Sequence, residues 1–193
     1  MTHNRLIMVR LLIILFPCLI LISGVQKNKV QSLKNPFDNL RYDKVVAYDY
    51  NGYAGREIVK DGKLIEYIYK QKELTGKQVK NFNWITGDTT SYGGKTAACF
   101  EPHLGVVYYQ KEKIVGYISI CLACNYLKSS IEIPASRYRK FISDYDSTYL
   151  ETGYGFTREG SHQLSDFCES LGFDHCIPLG EPNLYNDLWK KRW

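Results

Sequence analysis

Residues 92–125 read YGGKTAACFEPHLGVVYYQKEKIVGYISICLACN. The centre of this stretch decides the fold. The residues on both sides of Lys111-Glu112 are rich in β-branched and aromatic types, and Lys111-Glu112 reads as a two-residue turn between two strands, which predicts a β-hairpin. That turn sets Tyr109 against Ile114 and Gly105 against Ile118. Continued past the strand ends, it sets His103 against Ile120 and Cys99 against Cys124. Opposed residues have Cβ atoms about 4.5–5.5 Å apart, close to disulfide reach, and Pro102 and Gly105 are the points where the ladder could break.

Working outward, Lys44–Tyr50 (KVVAYDY) predicts a strand, and Asn51-Gly52 and Gly55 punctuate it. Arg56–Lys60 and Lys63–Tyr69 flank Asp61-Gly62, a second hairpin signal. Thr75 with Gln78 forms a capping box, and Val79, Phe82 and Ile85 recur three apart, so a helix is expected over about 76–86. Asp88 to Gly94 reads as a loop. A short strand is expected at Ser130–Ile133, ended by Pro134, then a weak helix over Ser136–Ser147. Thr157 opens a last helix whose stripe is Leu164, Phe167, Cys168 and Leu171, closed by Gly172. Helices and strands do not alternate, so the expected class is α+β: a single domain, mainly antiparallel sheet with two or three helices, after an N-terminal apolar helix.

The first residues carry an address. Residues 1–10 hold Arg5 and Arg10 and no acid, residues 11–22 (LLIILFPCLILI) are apolar, and Ser23-Gly24 follow. This basic, apolar, small-residue order is that of a signal peptide or signal anchor over 1–25. It is expected to engage the membrane and to place the rest outside the cytoplasm, in the cell envelope or beyond it. The polar stretch 26–43, with Pro36, reads as a tether, and 44–193 as the domain. Net charge is +5, and without Arg5 and Arg10 it is +3 with no long basic run, so a nucleic-acid partner is not expected. The 16 tyrosines fit a sheet with one wet face, where the ring packs and the hydroxyl meets water.

Of 6 cysteines, Cys18 lies in the apolar segment, leaving Cys99, Cys121, Cys124, Cys168 and Cys176. An exported domain allows disulfides, and an odd number leaves one over. Cys99, His103, Cys121 and Cys124 should lie near one another, and three readings compete for them. They could hold zinc, as C-x3-H with C-x2-C. The CxxC could be a redox pair. Or they are buried structural cysteines with one bridge. A CxxC converges only on a turn, and no Gly or Pro separates Cys121 from Cys124. An extended strand would turn the two to opposite faces. The strand context therefore favours the structural reading, with no cofactor, and keeps zinc on Cys99, His103, Cys121 and Cys124 as the alternative.

Cys168 belongs to the apolar stripe of the last helix, and a Cys168–Cys176 staple is allowed. His162 lies off that stripe and reads as solvated. His175 beside Cys176 is too close in sequence to form a catalytic pair with it. Gly93-Gly94-Lys95-Thr96 lacks the first glycine and the following helix of a phosphate loop. Glu101 is the one acid placed near the cysteines. No catalytic residue is assigned.

The runs YGGKTAACFEPHLGVVYY and ISICLACNYLKSSI resemble segments of small exported bacterial proteins to which no activity is attached. The resemblance extends over about Lys44 to Phe173. It implies a folded block on an exported protein and transfers no site residue. The function expected is an envelope binding or structural module without enzymatic activity, and the alternative is a metal- or thiol-dependent enzyme or a zinc-stabilised domain.

Overall fold

The computed structural model describes residues 34–137, 140–142 and 151–176, and the apolar segment at 1–25 lies outside them. The strands are β1 (Lys44–Tyr50), β2 (Val59–Lys60), β3 (Lys63–Leu64), β4 (Ile68–Glu73), β5 (Tyr92–Gly94), β6 (Leu104–Gln110), β7 (Lys113–Cys121), β8 (Tyr126–Ser129), β9 (Lys140–Ile142), β10 (Glu151–Gly153) and β11 (Gly155–Phe156). The helices are α1 (Gly76–Gly87) and α2 (Arg158–Leu171). Five strands form an antiparallel sheet in the order β4-β1-β6-β7-β8. The chain is therefore α+β, as its pattern predicts.

The local signals act as expected. Lys111 and Glu112 both take positive φ (48° and 62°), as do Asp61 and Gly62 (52° and 73°), so both hairpins close on two-residue turns. That backbone twist matches the twist of the flanking strands. Thr75 and Gln78 exchange the two bonds of a capping box at the start of α1. α2 is capped by Thr157 and ends on Gly172 at φ 73°.

Side chains alternate across the sheet. Val45, Ala47, Leu104, Val106, Tyr108, Ile118 and Ile120 face the two helices, where Phe82 of α1 meets Phe167 of α2 with ring centres 5.3 Å apart. Val46, Tyr48, Tyr50, Val107 and Tyr109 face the other way, against Ile58 and Val59 beside the β2–β3 hairpin. Ile58 comes so close that a Cβ on Gly105 would meet its side chain at 2.6 Å. The Ile58 N–H donates to Ser119 Oγ at 2.9 Å.

Over β1 and β6 both faces are thus covered, contrary to the expectation of one wet face, while the edge strand β4 stays exposed. Several tyrosine hydroxyls are bonded inside, whereas Tyr67 and Tyr69 are exposed. Tyr48 and Tyr109 share a hydrogen bond of 2.7 Å, Tyr92 donates to the Thr86 carbonyl at 2.7 Å, and Tyr108 donates to Asn83. Burial pushes Tyr48, Tyr92 and Tyr108 above the usual phenol range.

Four local expectations change. The stretch read as a tether joins the domain from Asn35 on. A 3-10 turn at Pro36–Asn39 buries Phe37 against Tyr108, and Asn35 donates to the Asn83 carbonyl and to Thr86. The loop expected at Asp88 to Gly94 contains a 3-10 turn, Thr89–Ser91, and β5, which pairs with β11. The short strand lies at Tyr126–Ser129 rather than at Ser130–Ile133. The stretch read as a helix, Ser136–Ser147, instead begins in a 3-10 turn, Pro134–Arg137, and contains the strand Lys140–Ile142 paired with β10. Two aromatic or β-branched residues among Lys140, Phe141 and Ile142 suit a strand once a partner is present.

Candidate functional site

The β6–β7 ladder keeps the expected register at the turn, with Tyr109 opposite Ile114. It then slips by one at a bulge between Tyr108 and Tyr109, so Gly105 meets Ser119 rather than Ile118. The ladder runs between Leu104 and Gln110 on one strand and Ile120 and Lys113 on the other. Cys99 lies outside it. Yet Cys99 Sγ stands 2.6 Å from Cys124 Sγ. The contact has another cause.

That cause is the β7–β8 turn. The last ladder pair is Cys121 with Tyr126, and residues 122–125 turn the chain between them. Asn125 takes φ 64°, a left-handed conformation that asparagine tolerates better than most residues, and its N–H donates to the Leu122 carbonyl at 3.2 Å. The turn folds Cys124 back over Cys121. Cys121 and Cys124 form a disulfide, with Cα atoms 5.2 Å apart, and the Cys124 N–H donates to Cys121 Sγ at 3.0 Å. The expectation that an extended strand separates the two is therefore overturned. Asn125, in place of Gly or Pro, supplies the turn.

Asn125 also clips the neighbouring chain. Its Nδ2 donates to the Lys95 and Phe156 carbonyls, both at 2.8 Å, and its own carbonyl accepts from the Phe156 N–H at 3.1 Å. The Ala97 N–H donates to the Cys124 carbonyl at 3.0 Å. Together these bonds hold the loop after β5 against the turn and deliver Cys99 to Cys124. Gly155 is required there, since a Cβ would meet the Asn125 and Lys95 carbonyl oxygens at 2.6 Å.

Exposure divides the three cysteines. Cys121 (0%) and Cys124 (1%) are buried, whereas Cys99 is exposed. Phe100 packs on Tyr126 with ring centres 4.9 Å apart, and the Lys128 ammonium sits 4.3 Å above the Phe100 ring. Burial first, and then the charge of a Cys99 thiolate, push the Tyr126 hydroxyl up. A cavity of about 310 Å³ opens beside this loop, lined by Tyr92, Thr96, Ala97, Tyr126, Leu127 and Tyr154 among others.

His103 belongs elsewhere. Its Nδ1 lies 2.9 Å from the Tyr50 carbonyl, which can only accept, so Nδ1 carries the hydrogen. Its ring stacks towards His175, with centres 6.0 Å apart. The four residues expected to form one site are thus split, three cysteines at the turn and His103 with His175. Among the described residues, no group of three or more His, Cys, Asp or Glu side chains is placed to hold a metal ion.

His175 forms the second polar cluster. Asp49, fully buried on β1, accepts from the Asp174 N–H at 3.0 Å, and His175 Nδ1 lies 3.0 and 2.9 Å from its two oxygens. Tyr69 stacks on His175 with centres 4.2 Å apart. Next in the chain, Cys176 is joined to Cys168 by a disulfide. Lys70 Nζ donates to the Gly172 carbonyl at 2.9 Å and pairs with Asp174 at 2.6 Å. These contacts pin residues 172–176 to β1 and β4. Desolvation holds His103 below the usual imidazole range, and the His175 charge adds to this, while the bond to Tyr50 and the charges of Asp49 and Glu101 oppose it.

The partner of His175 was not legible as such. The available signal was Asp49 itself, the one acid in the strand KVVAYDY, since a buried carboxylate needs a partner. His162 lies near Arg158, on the exposed side of α2. Glu101 is exposed, as expected. Comparison with protein-family models, with curated proteins and with solved structures finds no match to this chain.

Proposed function

We propose that this chain is an exported, disulfide-bearing domain of the cell envelope that works as a binding module. The observation that carries the reading is the cavity beside the Cys121–Cys124 turn. Its described lining is three tyrosines, alanines, Leu127 and the hydroxyl residues Thr96 and Ser136. Tyrosine rings offer apolar faces with polar tips. No carboxylate, imidazole or ammonium is among these lining residues, so the cavity suits a small uncharged ligand with a planar or apolar part. The order of residues 1–24 supports export, and the two disulfides are compatible with an oxidising compartment.

The test is ligand-observed NMR against a library of uncharged aromatic and amide fragments. Expected hits shift the resonances of Tyr126 and Leu127 and are lost in Tyr126→Ala. A library without a single hit at this cavity would sink the binding reading. Export is tested separately. Fractionation and protease access in cells expressing the full chain should find the domain outside the cytoplasm, and N-terminal sequencing separates cleavage near Gly24 from a retained anchor.

A second reading, a thiol-dependent activity, is favoured by one observation, the contact between exposed Cys99 and Cys124.

A further inference from the structure

Three cysteines meet at one turn, and only one disulfide can form among them at a time. Cys124 is the sulfur they share. Its Sγ is bonded to Cys121 and lies 2.6 Å from Cys99 Sγ. The Cys99 sulfur is therefore within reach of attack on Cys124. The pairing in the structure leaves the disulfide buried and the free thiol exposed. A buried disulfide is closed to any partner from solution. An exposed cysteine in contact with it supplies a way out.

We propose that Cys99, Cys121 and Cys124 form a thiol–disulfide exchange site, in which Cys99 carries the buried disulfide to the surface for reaction with an external thiol. In the first step Cys99 loses its proton to solvent. Its thiolate electron pair forms a bond to Cys124 Sγ as the Cys121–Cys124 bond breaks. Cys121 leaves with that pair and takes a proton. One disulfide and one thiol are present before and after, so the step consumes no oxidant. In the second step an external thiolate, on a small molecule or a peptide, attacks Cys99 Sγ. It forms a mixed disulfide there, and Cys124 departs as the thiolate and is protonated.

Two features of the turn support this direction. The Cys124 N–H points at Cys121 Sγ at 3.0 Å and stabilises the charge that develops on Cys121 as it leaves. And the bonds of Asn125 to Lys95 and Phe156, with Ala97 to Cys124, hold Cys99 in place without help from a disulfide. The attacking sulfur is therefore positioned in either state, and neither step requires the loop to refold. The cavity lined by Ala97 and Tyr126 adjoins the same loop, but the proposal does not depend on its being occupied.

The test uses the oxidised, folded protein. Free thiols are trapped by alkylation after an acid quench, and the labelled peptides are mapped by mass spectrometry, which keeps this cluster distinct from Cys168 and Cys176. Within this cluster the expected result is a single free thiol, divided between Cys99 and Cys121, with Cys18 mapped separately. Label on Cys99 alone, with none on Cys121, would overturn the first step. Cys121→Ser should hold a Cys99–Cys124 disulfide and Cys99→Ser a Cys121–Cys124 disulfide. If Cys121→Ser leaves both remaining thiols free although its melt shows it folded, the proposal also fails. Reduced glutathione is the probe for the second step. It should add to Cys99, and Cys99→Ser should take up on the order of tenfold less in this cluster, since its disulfide stays buried. Equal uptake by Cys99→Ser, or addition at Cys121 or Cys124, would show that Cys99 is not the entry point. If the wild-type map fails to fold into either pattern because no disulfide forms at Cys124, that too rejects the site.

Discussion

The side chain of Asn125 reaches the Lys95 carbonyl at 2.8 Å, and with the Ala97 N–H bond to the Cys124 carbonyl it ties the loop that carries Cys99 to the turn that carries Cys124. The β6–β7 ladder does not extend to either cysteine. A polar side chain in a left-handed turn therefore does what a strand register was expected to do. The consequence is that the cysteine cluster depends on Asn125 more than on the hairpin.

Asn125→Ala should accordingly destabilise the domain by about 2–4 kcal/mol. It leaves buried carbonyls without a donor, at about 1–3 kcal/mol, and places a Cβ-bearing residue without a local polar group at positive φ, at about 1 kcal/mol. Asn125→Gly relieves only the second cost and should be the milder change. Chemical denaturation of the two variants checks this. Equal losses would mean that the left-handed backbone adds no cost, and an unchanged Asn125→Gly would mean that the side-chain bonds carry no weight.

The last helix offers a sharper contrast. Phe167 is buried against Phe82, so Phe167→Ala should cost about 3–5 kcal/mol, as large-to-small core changes do. His162 is only partly covered, near Arg158, and His162→Ala should change stability by under about 0.5 kcal/mol. Thermal melts that place the two together would contradict the helical phase.

Residues 172–176 are held twice, by the Cys168–Cys176 disulfide and by Asp49. Removing the disulfide in Cys176→Ser should cost about 2–3 kcal/mol by loss of a short closed loop. Asp49→Asn, which weakens the bonds to Asp174 and His175, should cost about 1–3 kcal/mol. The two constraints fasten one segment, so the double variant should lose less than the sum. Strict additivity in a double-mutant cycle would show that the disulfide and the carboxylate act independently.

His103 sets a pH dependence. Desolvation lowers its folded-state pKa, so between that value and the ordinary histidine pKa the unfolded chain binds more protons. Stability then rises with pH through this window. As pH falls from about 6.5, the ordinary value, the wild type should lose stability until the folded form also protonates. His103→Gln should flatten that slope. Its measurement is a series of melts from neutral to mildly acidic pH, and an unchanged slope in the variant would remove His103 as the cause. His175, Asp49 and Glu101 lie in the same neighbourhood and are retained in both proteins, so the difference in slope reports on the removal of His103.

Local interactions made part of this protein legible. The turns at Lys111-Glu112 and Asp61-Gly62, the Thr75–Gln78 capping box and the Leu164, Phe167, Cys168, Leu171 stripe each depend on residues close in the chain. Sequence alone thereby determined the α+β class, the central hairpin and both helices. Tertiary structure decided the rest. The fate of Cys121 rested on whether a turn follows it, and the docking of Asn125 on Lys95 and Phe156, segments remote in the chain, helps to hold that turn. His103, on the Tyr50 carbonyl, and His175, on Asp49, are brought together at the end of β1 by the segment before β6 and the loop after α2, which are distant in the chain. Whether the sheet has one wet face or none depended on where the β2–β3 hairpin folds, and Gly105 records the answer only once Ile58 lies against it. Short-range bonds are encoded where they form, whereas contacts between remote segments follow from packing that no single stretch of sequence contains.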